Sequence, residues 1–202
     1  MADVHSQTPL STDLIISGSG QFPAVCYNQF MEQIVIAPLT AKDWKRYKRI
    51  RLEALKTDPT AFANSYADMV KRPDRDWQEQ MNKSLKKDHY FYRFALSGNE
   101  VVGMNGAYWS DKSTINHVAE VFGVFVRPDY RRRGIGRQLM ETVIDEIKAM
   151  GRFRKIKLGV NAQNLAALRL YQSCGLKIVG CLKEELRFGD NYYDEYLLEK
   201  TI

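Results

Sequence analysis

A mixed α/β sheet, mostly antiparallel and flanked by helices, is the fold class this sequence predicts, in a single domain. Three observations point there. Strand-forming runs outnumber helical ones and mostly fall in pairs around short turns, as hairpins do. Two strand–helix crossovers come late in the chain, after Val126 and after Val160. The chain has 202 residues and no internal repeat, enough for one domain with a full core.

The elements follow in order. Residues 1–33 contain Ser, Thr and Gly, short apolar patches (Leu14-Ile15-Ile16, Phe22 to Val25) and no sustained period. They read as a poorly ordered extension, with a docking segment for a partner as the sharper alternative. The domain itself is expected over 34–202. Ile34 to Ile36 gives a first strand, and Thr40 with Asp43 suits the start of a helix carrying Trp44, Tyr47, Ile50, Leu52 and Leu55. Asp58-Pro59 ends that helix, and Pro59 can start a short one through Ala63. A further helix follows Lys71, with Trp77, Met81 and Leu85 on one face. Tyr90–Leu96 and Val101–Trp109 flank a Ser97-Gly98-Asn99 turn, and Asp111 to Asn116 is a polar turn before a strand over His117–Val126. Lys155–Val160 is the next strand, Asn164–Cys174 a helix, and Leu176–Val179 a short strand. The chain closes with a hairpin of Glu184–Phe188 and Tyr192–Leu198.

Composition excludes several classes. Hydrophobic content of 45% with 27% charged residues is ordinary for a globular protein. A net charge of +6 allows a nucleic-acid binder or a protein for a polyanionic small molecule. No aromatic-and-basic repeat, zinc pattern or basic tail supports the first, so no nucleic-acid partner is expected. Three cysteines (Cys26, Cys174, Cys181) and three scattered histidines (His5, His89, His117) assemble no metal site by local spacing. Free thiols suit a reducing compartment, no apolar run is long enough to span a membrane, and no leader pattern opens the chain. The expected location is the cytoplasm.

One stretch carries the chemistry. Val121 to Val126 is strand-like, and Pro128 stops it because it has no N–H for a ladder. Arg131-Arg132-Arg133-Gly134-Ile135-Gly136-Arg137 follows, and then a helix with Leu139, Val143, Ile144 and Ile147 as its apolar stripe. A helix start offers N–H groups without intrahelical partners and the positive end of the dipole. Glycines bare that backbone and arginines add charge, which suits a diphosphate. A solvated basic face is the plainer fate of an arginine run. A dinucleotide fingerprint fails for want of its third glycine, and no Gly-x-x-x-x-Gly-Lys-Ser/Thr occurs.

Here the chain resembles the GNAT superfamily of N-acetyltransferases. Its Arg/Gln-x-x-Gly-x-Gly/Ala motif is met by Arg131, Gly134 and Gly136. A second family stretch is met by Val160, Asn164, Ala167, Leu170-Tyr171 and Gly175-Leu176, where Leu176 replaces the usual Phe. Arg51 to Leu55 and Asp58 to Phe62 look like the family's opening helices, which flank the acceptor pocket. The resemblance implies a direct transfer of acetyl from acetyl-CoA to a primary amine, without a metal or a covalent enzyme intermediate. A non-catalytic CoA-binding module of the same fold is the first alternative and a basic nucleic-acid binder the second. Many relatives pair, which allows a homodimer.

The resemblance also assigns residues. Arg131, Arg132, Arg133, Gly134, Ile135, Gly136 and Arg137 would hold the diphosphate. Phe125 and Val126 would pair with the pantetheine arm, where the strand splays from its neighbour, and would polarise the carbonyl. Asn164 is a CoA contact or a helix cap, two compatible roles. Tyr171 would be the general acid towards sulfur, with packing as its alternative. Glu120, the acidic residue of its strand, is the candidate base, against an edge or pairing carboxylate and against proton loss to water. A base matters most for lysine, neutral in roughly one part in a thousand at pH 7, and less for an α-amine with pKa about 7.8. Asp194 and Glu195 read as structural or acceptor-side groups, and Cys174 as a bystander.

Overall fold

Hairpin chemistry builds the first half of the sheet. In the computed structural model, which describes residues 33–202, β1 (Ile34–Ala37), β2 (Tyr90–Ser97), β3 (Glu100–Trp109) and β4 (Val118–Val126) pair successively and antiparallel. β5 (Lys155–Asn161) joins β4 in parallel, and β7 (Asn191–Thr201) lies between β5 and β6 (Lys177–Phe188). The strand order is β1-β2-β3-β4-β5-β7-β6, a seven-stranded mixed, mostly antiparallel sheet. The expectations for residues 1–32, Cys26 included, fall outside the described residues.

Helices cover both faces. α1 (Trp44–Thr57) and α3 (Asp74–Lys86) bury Tyr47, Ile50, Leu55, Trp77 and Met81 against Tyr92, Phe94, Met104 and Phe125. α4 (Ile135–Ala149) and α5 (Leu165–Ser173) put Met140, Val143, Ile147 and Tyr171 against Ile156, Leu158 and Val160 on the other. Phe91 to Ala95 is therefore buried without alternation, as a strand covered on both faces must be. Thr40 caps a 3-10 turn, Ala41–Asp43, that leads into α1, where the Asp43 carboxylate accepts from the Thr40 N–H at 3.0 Å and its hydroxyl at 2.6 Å.

The structure departs from the sequence reading in three places. Leu85 is 42% exposed while Ser84 is buried, because α3 turns its i, i+4, i+7 row inward and the Ser84 hydroxyl accepts from the Tyr92 N–H at 3.0 Å. The turn after Asp58 is a single 3-10 turn, Pro59–Ala61, leaving Phe62 extended and buried; an additional short helix, α2 (Tyr66–Met69), follows with Ser65 as its cap. The strands expected at Leu176–Val179 and Glu184–Phe188 are one strand, β6, interrupted by an irregular stretch between Leu182 and Leu186 where Glu184 has φ +52°. Asp194 holds that stretch, accepting from the Lys183 ammonium at 2.7 Å and the Glu184 N–H at 3.0 Å. A local charge pair thus replaces the ladder that alternation would predict.

Candidate active site

The site begins where two parallel strands part. β4 and β5 pair only through Val118–Glu120 and Lys155–Lys157. Beyond that, Val121–Val126 and Leu158–Asn161 diverge and line a cleft of about 610 Å³, within the usual range of ligand sites. A bulge helps open it: Gly123 and Val124 lie opposite Asn105 alone, and Gly123 takes φ +67°. The Arg127 N–H bonds to the Val102 carbonyl of β3 at 2.9 Å. N–H groups alternate sides along a strand, so that of Val126 faces the cleft.

The far wall is the start of α4. Gly134 caps it at φ +76°, a conformation that costs any residue with a Cβ. The first backbone bond into the helix is from the Gln138 N–H to the Gly134 carbonyl, 3.1 Å. The N–H groups of Arg132 to Arg137 have no backbone acceptor among the described residues, so six donors stand together at the positive end of a helix. Gly136 has a second task. A Cβ there would meet the Leu170 side chain at 3.1 Å, so it lets α5 close on α4.

The arginines divide. Arg131 donates to the Val126 carbonyl at 2.9 Å and pairs with Asp58, tying the loop to the end of α1. Arg137 pairs with Glu141 at 2.8 Å. Arg133 donates to the Asp129 carbonyl at 2.7 Å, stacks on Tyr130 and lies outside the cleft wall. Arg132, at φ +62°, lines the cleft with no protein partner among the described residues.

Phe125, Val126, Arg131, Arg132, Gly134, Ile135, Gly136, Arg137, Asn164 and Tyr171 all line the one cleft. Asn164 caps α5, accepting from the Ala167 N–H at 3.1 Å. Tyr171 is buried, its hydroxyl has no hydrogen-bond partner among the described residues, and burial, then the nearby Cys174, push its phenol well above the ordinary range. It is held protonated. Glu120 lies apart: it pairs with Lys157 at 2.8 Å, takes a hydrogen bond from Tyr108, and does not line the cleft. His117 is exposed ahead of β4, and burial raises the Cys174 thiol.

Asp58 and Phe62, from the stretch expected beside the acceptor pocket, and Glu195, read as a structural or acceptor-side group, line the wall, together with Asn161, which sequence reasoning did not place there. Asn161 donates to the Thr60 carbonyl at 3.4 Å, holding the Pro59–Ala61 turn against β5. One signal was readable, since an isolated glycine in a strand, here Gly159, marks a close approach. Among the described residues no group of three or more His, Cys, Asp or Glu is arranged to hold a metal ion, and no helix is long and apolar enough to cross a membrane.

Residues 47–176, more than half of the chain, match the acetyltransferase (GNAT) family. The chain belongs to the GNAT family of acetyltransferases. It is 33% identical over 117 residues to the [ribosomal protein bS18]-alanine N-acetyltransferase of Escherichia coli, covering 58% of this chain and 70% of that one. It is 25% identical over 174 residues to the L-amino acid N-acetyltransferase AaaT of the same species, covering 85% and 99%. Its fold matches a GNAT acetyltransferase from Streptococcus pneumoniae with a TM-score of 0.76 at 23% identity, over 84% of this chain and all of that one. This GNAT enzyme is thus an acetyl-CoA-dependent N-acetyltransferase whose acceptor the comparisons leave open.

Proposed function

We propose that this enzyme transfers acetyl from acetyl-CoA to an α-amine, either a free amino acid or a polypeptide N-terminus, in the cytoplasm. One observation carries the reading: a single cleft is lined by five residues of a helix start whose backbone N–H groups have no backbone acceptor among the described residues, and by an unpartnered, protonated Tyr171. The donors fit a diphosphate. The β4 edge from Val121 to Val126, unpaired towards β5, fits an extended amide-bearing arm. Acetyl-CoA, when bound, supplies an activated acetyl thioester.

The residues divide the work. Arg132, with the N–H groups of Gly134, Ile135, Gly136 and Arg137, holds the diphosphate, while Arg131 fixes the loop through Asp58. The Val126 N–H, aimed into the cleft, donates to the carbonyl oxygen as charge develops there, an effect worth about 3 kcal/mol. Tyr171 donates its proton to the departing sulfur. A thiol of pKa about 8.5 leaves readily, so a hydrogen bond suffices.

The α-amine is favoured on two grounds. The relatives just named act on an alanine amine and on L-amino acids. A polypeptide α-amine also has a useful neutral fraction at pH 7, which a lysine lacks. The free thiols Cys174 and Cys181 suit the cytoplasm. Thiol release should be measured with acetyl-CoA against L-amino acids, an alanine-initiated tetrapeptide, spermidine and an N-α-blocked lysine. Turnover with one of the first two is expected. Preference for the blocked lysine overturns the α-amine reading, and acetyl-CoA binding without turnover on any amine makes the chain a binding module.

A further inference from the structure

The acid faces the gap between β4 and β5 from one side of the sheet, and a second ionisable group faces it from the other. Tyr171 belongs with Leu158 and Val160, on the face covered by α4 and α5. Gly159 points the opposite way, because strand residues alternate. It has no side chain, and that space is filled from a neighbouring strand: a Cβ added at Gly159 would lie 2.4 Å from Glu195 Oε1 and 2.6 Å from its Cδ. Glu195, opposite Asn161 in the β5–β7 ladder, thus lays its carboxylate across bare β5 backbone and into the cleft wall.

Its state is unusual for this protein's acids. Glu195 is half-buried and has no hydrogen bond or ion pair among the described residues. Its neighbour Asp194 is bound by Lys183 and the Glu184 N–H, and Glu120 by Lys157 and Tyr108. A paired carboxylate is a weak base. An unpaired one at a cleft wall is free to take a proton.

We propose that Glu195, and not Glu120, is the general base, and that Gly159 is the residue that admits it. This rests on the acetyl-transfer reading above. As the neutral amine forms its nitrogen–carbon bond, Glu195 takes one N–H proton. The carbon–sulfur bond breaks with its electron pair on sulfur, which receives the Tyr171 proton. Glu195 then loses its proton to solvent and Tyr171 regains one, so the sum is amide plus thiol. Burial first, then the charges of Glu185 from β6 and Glu120 from β4, raise the proton affinity of Glu195. Gly159 and Asn161, its β5 neighbours, carry no charge.

The test uses the full chain, with the alanine-initiated tetrapeptide or the best L-amino acid as acceptor. Glu195→Gln should lower kcat/KM about 100-fold, leave the Kd for acetyl-CoA within twofold, and remove one of two ionisations on the acid side of the pH profile. The survivor is the amine's own. Glu195→Ala should be as slow and be partly rescued by added formate. Gly159→Ala, which keeps the charge but displaces the carboxylate, should lose about tenfold in kcat. A Glu195→Gln enzyme with wild-type kcat/KM and both ionisations overturns this assignment alone. A wild-type protein that releases no thiol with either acceptor overturns the transfer reading as well.

Discussion

At the scale of single residues, the cleft sets two ionisable groups against their ordinary behaviour. Tyr171 is pushed up, chiefly by burial, so it stays a donor through neutral and mildly alkaline pH. Tyr171→Phe should lower kcat by about 10- to 100-fold while acetyl-CoA affinity, read by calorimetry, stays within a fewfold. Equal rates would leave Tyr171 a packing residue. The Glu195 carboxyl is also raised, and the sign for stability follows. Folding favours its protonated form, a contribution present below the unfolded pKa of about 4.3 and lost as pH rises through the folded value. At pH 7 the charged form is therefore a net cost. Thermal melts should show Glu195→Gln more stable than the wild type at pH 7 and equal to it at pH 4. Gln at this position would then be slower and sturdier, as expected where a site stores an unfavourable charge for use.

At the scale of elements, the loop between β4 and α4 separates what a motif reveals from what it hides. The order of strand, proline, arginines, glycines and amphipathic helix was legible, because each step has its own local cause: a missing N–H, a positive φ, an apolar period. The division of labour among the arginines was not, because it depends on partners far away in the chain. Asp58, which ties Arg131, is 73 residues distant. The same limit hid the joining of β6, where Asp194 closes an irregular ladder, and the approach of Glu195 to Gly159. Of the run, only Arg132 combines a place in the cleft wall with the lack of a protein partner among the described residues. Arg132→Ala should therefore weaken acetyl-CoA binding about 10-fold or more, as loss of a charge-assisted hydrogen bond does. Arg133→Ala, outside the wall, should change it less than threefold. Calorimetry at two salt concentrations checks both, and the reverse order would show that the loop rearranges around the ligand.

At the scale of the whole molecule, α4 must stay fixed on the sheet for its N-terminus to keep facing the cleft. Most of that hold is apolar, through Leu139, Met140, Val143 and Ile147. One polar clamp adds direction: the Glu146 carboxylate on α4 pairs with the Arg93 guanidinium on β2, which also lies over the Phe91 ring at 4.9 Å. Lys87 reaches the same carboxylate at 3.0 Å. The Arg93 side chain is only 10% exposed, so removing its partner strands a charge in a poorly hydrated place. Glu146→Ala should cost about 3 kcal/mol, which lowers Tm by roughly 6–12 °C in a chain of this length. The exposed Asp145–Lys148 pair one residue away in the same helix is the control, and Asp145→Ala should leave Tm nearly unchanged. Replacing both members, Arg93→Met with Glu146→Leu, should recover most of the loss, since apolar groups of similar size need no charge partner. If the double variant is no better than the single one, the clamp itself, and not the stranded guanidinium, sets the stability of the helix on the sheet.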